Sequence, residues 1–276
     1  MDTSSRITGA TRLMGVIGSY LDHSSSPEIH NAVFEKLGWD YAYVPLDVSE
    51  ENLEAAVRGL EALGFLGYNV AAPHKKRIVP YLHEISRVAE IMGAVNTVVI
   101  QGGRSLGDNA DGAAFMRNLV LNGINVLGKK ITVLGAGGAA SAVIVQAALD
   151  GVAQIDVFNR LLHRVYVKSE HNPKAWYDLV ELEQFFCSKR FSQFTALDGR
   201  ALIERLKNYS SCEVTLYDLA DTDKLRASIA ESTLLLNATI VGSPDEPGCL
   251  VDESMLVPDL IVSDMVYTPR ETELLL

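Results

Sequence analysis

The chain has 276 residues, of which 48% are apolar, 21% charged and 7% aromatic, a globular composition that rules out disorder, a collagen repeat and a disulfide scaffold. At this length one large domain or two of moderate size are expected. The formal net charge of −11 argues against general attraction to nucleic acid or to a membrane surface, so an anionic ligand has to be held by local positive groups.

From Arg12 to Phe158 short β-rich segments alternate with stretches of helical period. Strands are predicted at 13–17, 41–44, 67–70, 96–100, 131–134 and 155–158, and helices at 27–37, 51–63, 88–92, 112–122 and 139–149. Such alternation indicates an α/β fold with a mostly parallel sheet. Gly102-Gly103 between two β-rich runs reads as a hairpin turn, and a domain boundary is placed near Asp111. After Arg160 the pattern blurs, and 161–195 shows no clean period. Regular spacing resumes with strands near 214–216, 234–236 and 260–262 and a helix near 224–230. Cys187, Cys212 and Cys249, without a CxxC spacing, argue against disulfides and structural zinc and fit a reducing compartment. No apolar run approaches the roughly 18 residues needed to span a bilayer, and the expectation is a cytoplasmic protein.

Two regions carry chemistry. The predicted strand 131–134 runs into Gly135-Ala136-Gly137-Gly138-Ala139-Ala140 and an apolar helix, a G-x-G-x-x-A turn in strand-turn-helix context. Backbone N–H groups in such a turn can approach a pyrophosphate at a helix N-terminus, where the helix dipole favours negative charge. A tight turn with no ligand is the alternative, and the context favours the dinucleotide. The following strand ends in Asn159-Arg160 instead of an acid, which favours the 2′-phosphate of NADP over the ribose hydroxyl of NAD. In the first half, polar clusters fall at predicted strand ends: His23 to Pro27, Asn69 to Lys76, Asn96-Thr97 and Asn109 to Asp111. Carboxyl ends of strands form the ligand crevice of an α/β sheet, so a small hydroxylated acid is a natural substrate. Taken singly, Lys75 reads as a surface lysine and Asp111 as a helix N-cap.

Together these motifs resemble the shikimate/quinate dehydrogenase family. The likeness rests on H-S-S-S-P with His30-Asn31 following, N-V-x-x-P-x-K ending at Lys75, G-A-V-N-T at Gly93 to Thr97, G-x-N-x-D ending at Asp111 and the glycine loop. N-R at Asn159-Arg160, N-A-T-x-x-G from Asn237 to Gly242 and D-x-V-Y-x-P from Asp264 to Pro269 complete it. It implies an N-terminal α/β substrate-binding domain, 1–111 with 270–276 returning to it, a Rossmann-like dinucleotide-binding domain, 112–269, and a cleft between them. It further implies Lys75 and Asp111 as the catalytic pair, Asn96 on the ring hydroxyls, and Ser24, Ser26 and Tyr267 on the substrate carboxylate. The cofactor contacts would be Gly135, Ala136, Gly137, Gly138, Ala139, Asn159, Arg160, Thr239 and Gly242. The implied activity is NADP-dependent reversible reduction of 3-dehydroshikimate to shikimate, with NAD as the alternative cofactor. The partner is a small anionic hydroxylated cyclohexene or cyclohexane carboxylate, and assembly as a homodimer is compatible with it.

Several positions depart from the family pattern. Ala71 and Ala110 stand where Thr is usual, Leu161 follows Arg160 in place of a hydroxyl, and Ser243 replaces a frequent Met. Weak shikimate binding, broader acceptance of quinate and a reduced preference for NADP are expected from these changes. Residues 271–276 read as the first turn or two of a helix, short of the family's further helices and of a substrate-contacting Gln, so the chain as written is expected to be incomplete as a catalyst. Alternatives are a quinate/shikimate dehydrogenase of relaxed specificity and a non-catalytic ligand sensor. A sensor would have no use for Lys75 with Asp111.

Overall fold

A computed structural model describes residues 7–19, 21–160, 164–167, 175–178 and 195–276. The chain divides after Ala114 into two compact units. In the first, strands β1 (Arg12–Gly18), β2 (Tyr41–Asp47), β3 (Gly67–Val70), β4 (Glu84–Ile85), β5 (Thr97–Gln101) and β6 (Arg104–Asp108) form one sheet in the order β2-β1-β3-β5-β6-β4. β1 runs parallel to β2 and β3, whereas β5 is antiparallel to both β3 and β6. The expected mostly parallel sheet is therefore mixed in this unit. The β5–β6 reversal has a local cause: Gly102 and Gly103 take φ of 57° and 75°, the left-handed pair that closes a two-residue hairpin.

Helices α1 (Ser26–Leu37), α2 (Leu53–Ala62) and α3 (Arg87–Met92) pack on this sheet. α2 buries Leu53, Val57 and Leu60, the i, i+4, i+7 stripe of an amphipathic helix, against a core that includes Ile17, Tyr68, Val70, Val98 and Ile100. Phe34 of α1 closes on Val16 and Tyr43 in a second cluster. Consecutive residues Val16 and Ile17 are thus both buried, each in a different cluster, as befits a strand covered on both faces.

Helix α4 (Asp111–Leu121) carries the division between the units. In the second unit β7 (Lys130–Leu134), β8 (Gln154–Asn159), β11 (Glu213–Asp218), β12 (Leu234–Asn237) and β13 (Ile261–Asp264) form an all-parallel sheet in the order β11-β8-β7-β12-β13. Here β9 (Arg164–Val167) and β10 (Ala175–Asp178) make a separate antiparallel pair within the stretch that showed no period. Leu161 lies outside the described residues. Helices α5 (Gly138–Asp150), α6 (Thr195–Leu206) and α7 (Thr222–Glu231) complete a Rossmann-like unit. α5 buries Ala140, Ala142, Val143, Ile144, Val145, Ala147 and Ala148, so it is apolar almost all round because it is enclosed almost all round. Chain order reverses between β7 and β12, and the carboxyl ends of those two strands are where such sheets bind ligands.

One polar network runs from buried Asp156 beside this sheet to exposed Glu231 at its surface. Lys130 Nζ lies 2.9 Å from Asp156 Oδ2 and 2.7 Å from Glu231 Oε2. Ser228 Oγ donates to Asp156 at 2.7 Å, Thr132 and Ser228 hydroxyls pair at 2.8 Å, and Gln154 donates to the other Asp156 oxygen at 3.1 Å.

Residues 271–276 differ from expectation. They form a turn and not a helix, and by contacts they group with the second unit. Thr272 is buried and donates from Oγ1 to Asp264 Oδ2 at 2.7 Å, while Leu274 packs on the cluster of Leu134, Phe158, Leu225 and Ile229. Among the described residues no helix is long and apolar enough to cross a membrane, and no group of three His, Cys, Asp or Glu is placed to hold a metal.

Candidate active site

In the first unit three chain segments meet. After β3 the backbone turns through Ala71 to Lys76, held by Ala71 N–H to the Ile17 carbonyl (2.8 Å) and Ser19 N–H to the Ala72 carbonyl (3.1 Å). This turn buries His74 completely, with a ring nitrogen 2.7 Å from the Val48 carbonyl, and leaves Lys75 half exposed. Val95 N–H donates to the Lys75 carbonyl at 2.8 Å, which ties in the segment ending at Asn96. Asn96 N–H in turn donates to the Asp108 carbonyl at 3.0 Å, which ties in the segment leading to Asp111.

The side chains follow this backbone lacing. Lys75 Nζ lies 3.3 Å from Asp111 Oδ2 across 36 residues of sequence, and the two side chains are 43% and 42% exposed. Asn96 is buried, its Oδ1 accepting from Ala110 N–H and from Thr97 Oγ1, each at 2.9 Å. Buried Asn109 accepts from Asp111 N–H at 3.3 Å and donates to the Ala94 carbonyl at 3.3 Å, so an amide fixes the backbone that carries the carboxylate. Asn69 joins the lattice, accepting from Tyr43 Oη at 2.7 Å and donating to the Asn96 carbonyl at 3.3 Å. Burial pushes the Tyr43 phenol up to about 12, so it remains a donor. A lysine with a neighbouring carboxylate, half open to solvent on an otherwise fixed frame, can give and take a proton at a bound oxygen.

Ser24 and Ser26 stand at the start of α1, both half-buried. Ser26 N–H donates to Ser24 Oγ at 3.4 Å and Pro27 has no N–H, so it is the serine hydroxyls at the positive end of the helix dipole that suit a carboxylate here. Tyr267 follows β13 in the second unit and is 88% exposed.

In the second unit a cavity of about 710 Å³ opens at the ends of β7, β8 and β12. It is lined by Gly135, Ala136, Gly137, Gly138, Ala139, Asn159, Arg160 and Thr239 among others, whereas Gly242 lies outside the lining and shapes the loop beyond it. Gly135 has φ +103°, and a Cβ there would stand 2.9 Å from Thr239 Cγ2, so only glycine lets these two strand ends approach. A Cβ on Gly137 or Gly138 would meet nothing within 4 Å, leaving open space above the start of α5, which has no side-chain cap. Among the described residues, Asn159 Nδ2 is buried with no hydrogen-bond partner. Free N–H groups at a helix start, a buried amide donor and Arg160 fit a dinucleotide with its pyrophosphate at α5. The Thr239 hydroxyl is spent locally, donating to Asn237 Oδ1 at 2.7 Å and accepting from Val241 N–H at 3.1 Å.

Residues 16–98 match the family described as shikimate dehydrogenase substrate binding domain. A protein of Listeria monocytogenes serotype 4b (strain F2365) named shikimate dehydrogenase (NADP(+)) is 39% identical over 272 residues, covering 98% of this chain and 83% of that protein. The solved structure of shikimate 5-dehydrogenase from Listeria monocytogenes in complex with shikimate and NAD aligns with a TM-score of 0.84 at 39% identity, over 98% of this chain and 83% of that one. Quinate dehydrogenase from Corynebacterium glutamicum in complex with NAD aligns with a TM-score of 0.74 at 30% identity, over 96% and 83% of the respective chains. This chain belongs to the shikimate dehydrogenase family.

In this shikimate dehydrogenase family member the structure brings Lys75, Asp111 and Asn96 into one lattice and gathers the glycine loop, Asn159, Arg160 and Thr239 around one cavity. Asn69 and Asn109 were not assigned roles from sequence, although both lie inside the N-V-x-x-P-x-K and G-x-N-x-D motifs that signal the site. Asp245 and Glu246 in the cavity wall had no motif to announce them.

Proposed function

We propose that this chain catalyses the NADP-dependent, reversible reduction of 3-dehydroshikimate to shikimate. The observation that carries the reading is the half-exposed Lys75–Asp111 pair on its buried amide frame. Reduction of a ring ketone builds negative charge on its oxygen. The Lys75 ammonium stabilises that charge and donates the proton that completes the hydroxyl; in the reverse direction neutral Lys75 takes the proton back. Asp111 orients Lys75 and accepts from a ring hydroxyl, and Asn96 contacts the ring hydroxyls as well. Ser24 and Ser26 receive the carboxylate at the start of α1; Tyr267 is assigned to that carboxylate from the sequence resemblance alone. NADP, held by the glycine loop, Asn159 and Arg160, supplies or accepts the hydride when bound.

The test is the rate of NADPH formation with shikimate and, separately, with quinate, alongside calorimetric binding of both acids. Turnover with shikimate, faster than with quinate, is expected. Faster turnover with quinate would move the substrate to the reading that the 30% identity to a quinate dehydrogenase favours. Tight binding of either acid with no turnover would replace the enzyme by a ligand-sensing protein.

A further inference from the structure

We infer that Glu246 is a cofactor-discriminating residue, which competes with the 2′-phosphate of NADP for Arg160 and thereby keeps NAD a usable cofactor. The inference rests on the reading of the second-unit cavity as the dinucleotide site. Glu246 Oε1 lies 3.9 Å from Arg160 Nη1, with the side chains 45% and 70% exposed. Backbone geometry fixes the glutamate there. Gly242 turns the chain at φ +103°, and its N–H donates to the Glu246 carbonyl at 2.8 Å. Glu246 N–H donates to the carbonyl and to Oγ of Ser243, at 3.2 and 3.3 Å, so residues 243 and 246 face each other across a single β-bridge.

The charge around the cavity points the same way. Among its described lining residues Arg160 is the one cation, and the same lining carries two carboxylates, Asp245 and Glu246, of which Glu246 is the one paired with Arg160. A wall built to select a phosphate dianion gains from an excess of positive groups, and the described residues of this wall carry more negative groups than positive. When Arg160 engages the 2′-phosphate, the dianion is brought beside the Glu246 carboxylate, 3.9 Å from the same guanidinium. A ribose that keeps its 2′-hydroxyl meets no such conflict, because a carboxylate accepts from it. In many NAD-binding sheets that acid ends the second strand. Here β8 ends in Asn159-Arg160, and the acid comes from the loop after β12 instead. Discrimination is therefore a balance between two opposed groups from different strand ends.

Calorimetric titration of NADP and of NAD into the wild-type chain, Glu246→Gln and Asp245→Asn tests this directly. Neutralising Glu246 should tighten NADP about three- to tenfold and leave NAD unchanged or weaker, so the ratio of the two affinities shifts toward NADP. Asp245→Asn removes the same charge from the same wall without touching the Arg160 pair and should shift the ratio less. An unchanged ratio in Glu246→Gln, or an equal shift in Asp245→Asn, would overturn the role of Glu246 while leaving the cofactor site in place. Failure of both nucleotides to bind the wild-type chain would overturn the cofactor reading and this inference with it.

Discussion

Each unit of this protein holds a lysine beside an aspartate, and the two pairs do opposite work. Lys75 and Asp111 lie 3.3 Å apart with side chains 43% and 42% exposed, whereas Lys130 and Asp156 lie 2.9 Å apart at 13% and 2%. The second pair is enclosed: both its side chains are largely buried, Ser228 and Gln154 donate to Asp156, and Glu231 accepts from Lys130. In the first pair Asn109 holds only the Asp111 backbone, and both charged groups stay half open to solvent. Proximity of an ammonium and a carboxylate therefore decides neither stability nor catalysis. What decides is whether the protein itself satisfies the rest of each group. A buried pair is costly to break because the survivor is stranded in low dielectric, while an open pair contributes little to folding and retains room to react.

The largest effect that can break this contrast is on turnover. Lys75→Ala should lower kcat for shikimate oxidation by about two to four orders of magnitude, the usual scale for losing a general acid–base group. Its free energy of unfolding, measured in urea, should change by less than about 1 kcal/mol, as for other half-exposed pairs. A chain that kept its kcat, or that lost several kcal/mol of stability, would show that the open pair is structural.

The converse change is Lys130→Met, which retains the aliphatic stem and removes the ammonium. It should cost about 3–5 kcal/mol of stability by stranding Asp156, readable as a lowered urea midpoint. At a temperature where the variant is fully folded, kcat should stay near the wild-type value.

Acid sharpens the same point. Burial alone would raise the Asp156 carboxyl, but hydrogen bonds from Ser228, Lys130 and Gln154 outweigh it and hold the group below its ordinary range. The unfolded chain thus takes up this proton at a higher pH than the folded chain does. The stabilisation is complete above the ordinary aspartate value of about 3.9 and is lost as pH falls through the lower folded value. Wild type should therefore exceed Asp156→Asn in stability at pH 7, and the gap should close as pH falls through that range. A gap that widened in acid would reverse the assigned sign.

The smallest effect concerns the open site. Ala71→Thr with Ala110→Thr adds two hydroxyls near the frame that carries Lys75 and Asp111, and should lower KM for shikimate about three- to tenfold, at roughly 0.5–1.5 kcal/mol for a neutral hydrogen bond. An unchanged KM would remove the two alanines from the account of substrate choice.

Much of this organisation was legible because its signals are local. Residues 131–134 followed by a glycine turn and an apolar helix predicted β7 and α5 to within a residue or two, since strand, turn and helix are each specified by their own side chains. Gly102-Gly103 likewise specified its hairpin. β4 was not legible: two residues, Glu84 and Ile85, carry no period, and their pairing is supplied by β6. The turn at 271–276 was misread as a helix because its leucine run suits one, while the contacts that decide it, Thr272 to Asp264 and Leu274 to the β7–β8 core, are tertiary. In the site, Lys75 and Asp111 could be named from motifs, but the roles of Asn69, Asn109 and Glu246 depend on which loops meet, and no spacing along the chain encodes that.

The central claim is that openness, and not proximity, makes one of the two lysine–aspartate pairs catalytic. The most direct measurement compares kcat for shikimate-dependent NADPH formation in Lys75→Ala and Lys130→Met at one temperature where both are folded by circular dichroism. The account predicts a loss of about two to four orders of magnitude in the first and a near wild-type rate in the second. Equal losses in both, or the greater loss in Lys130→Met, would contradict it.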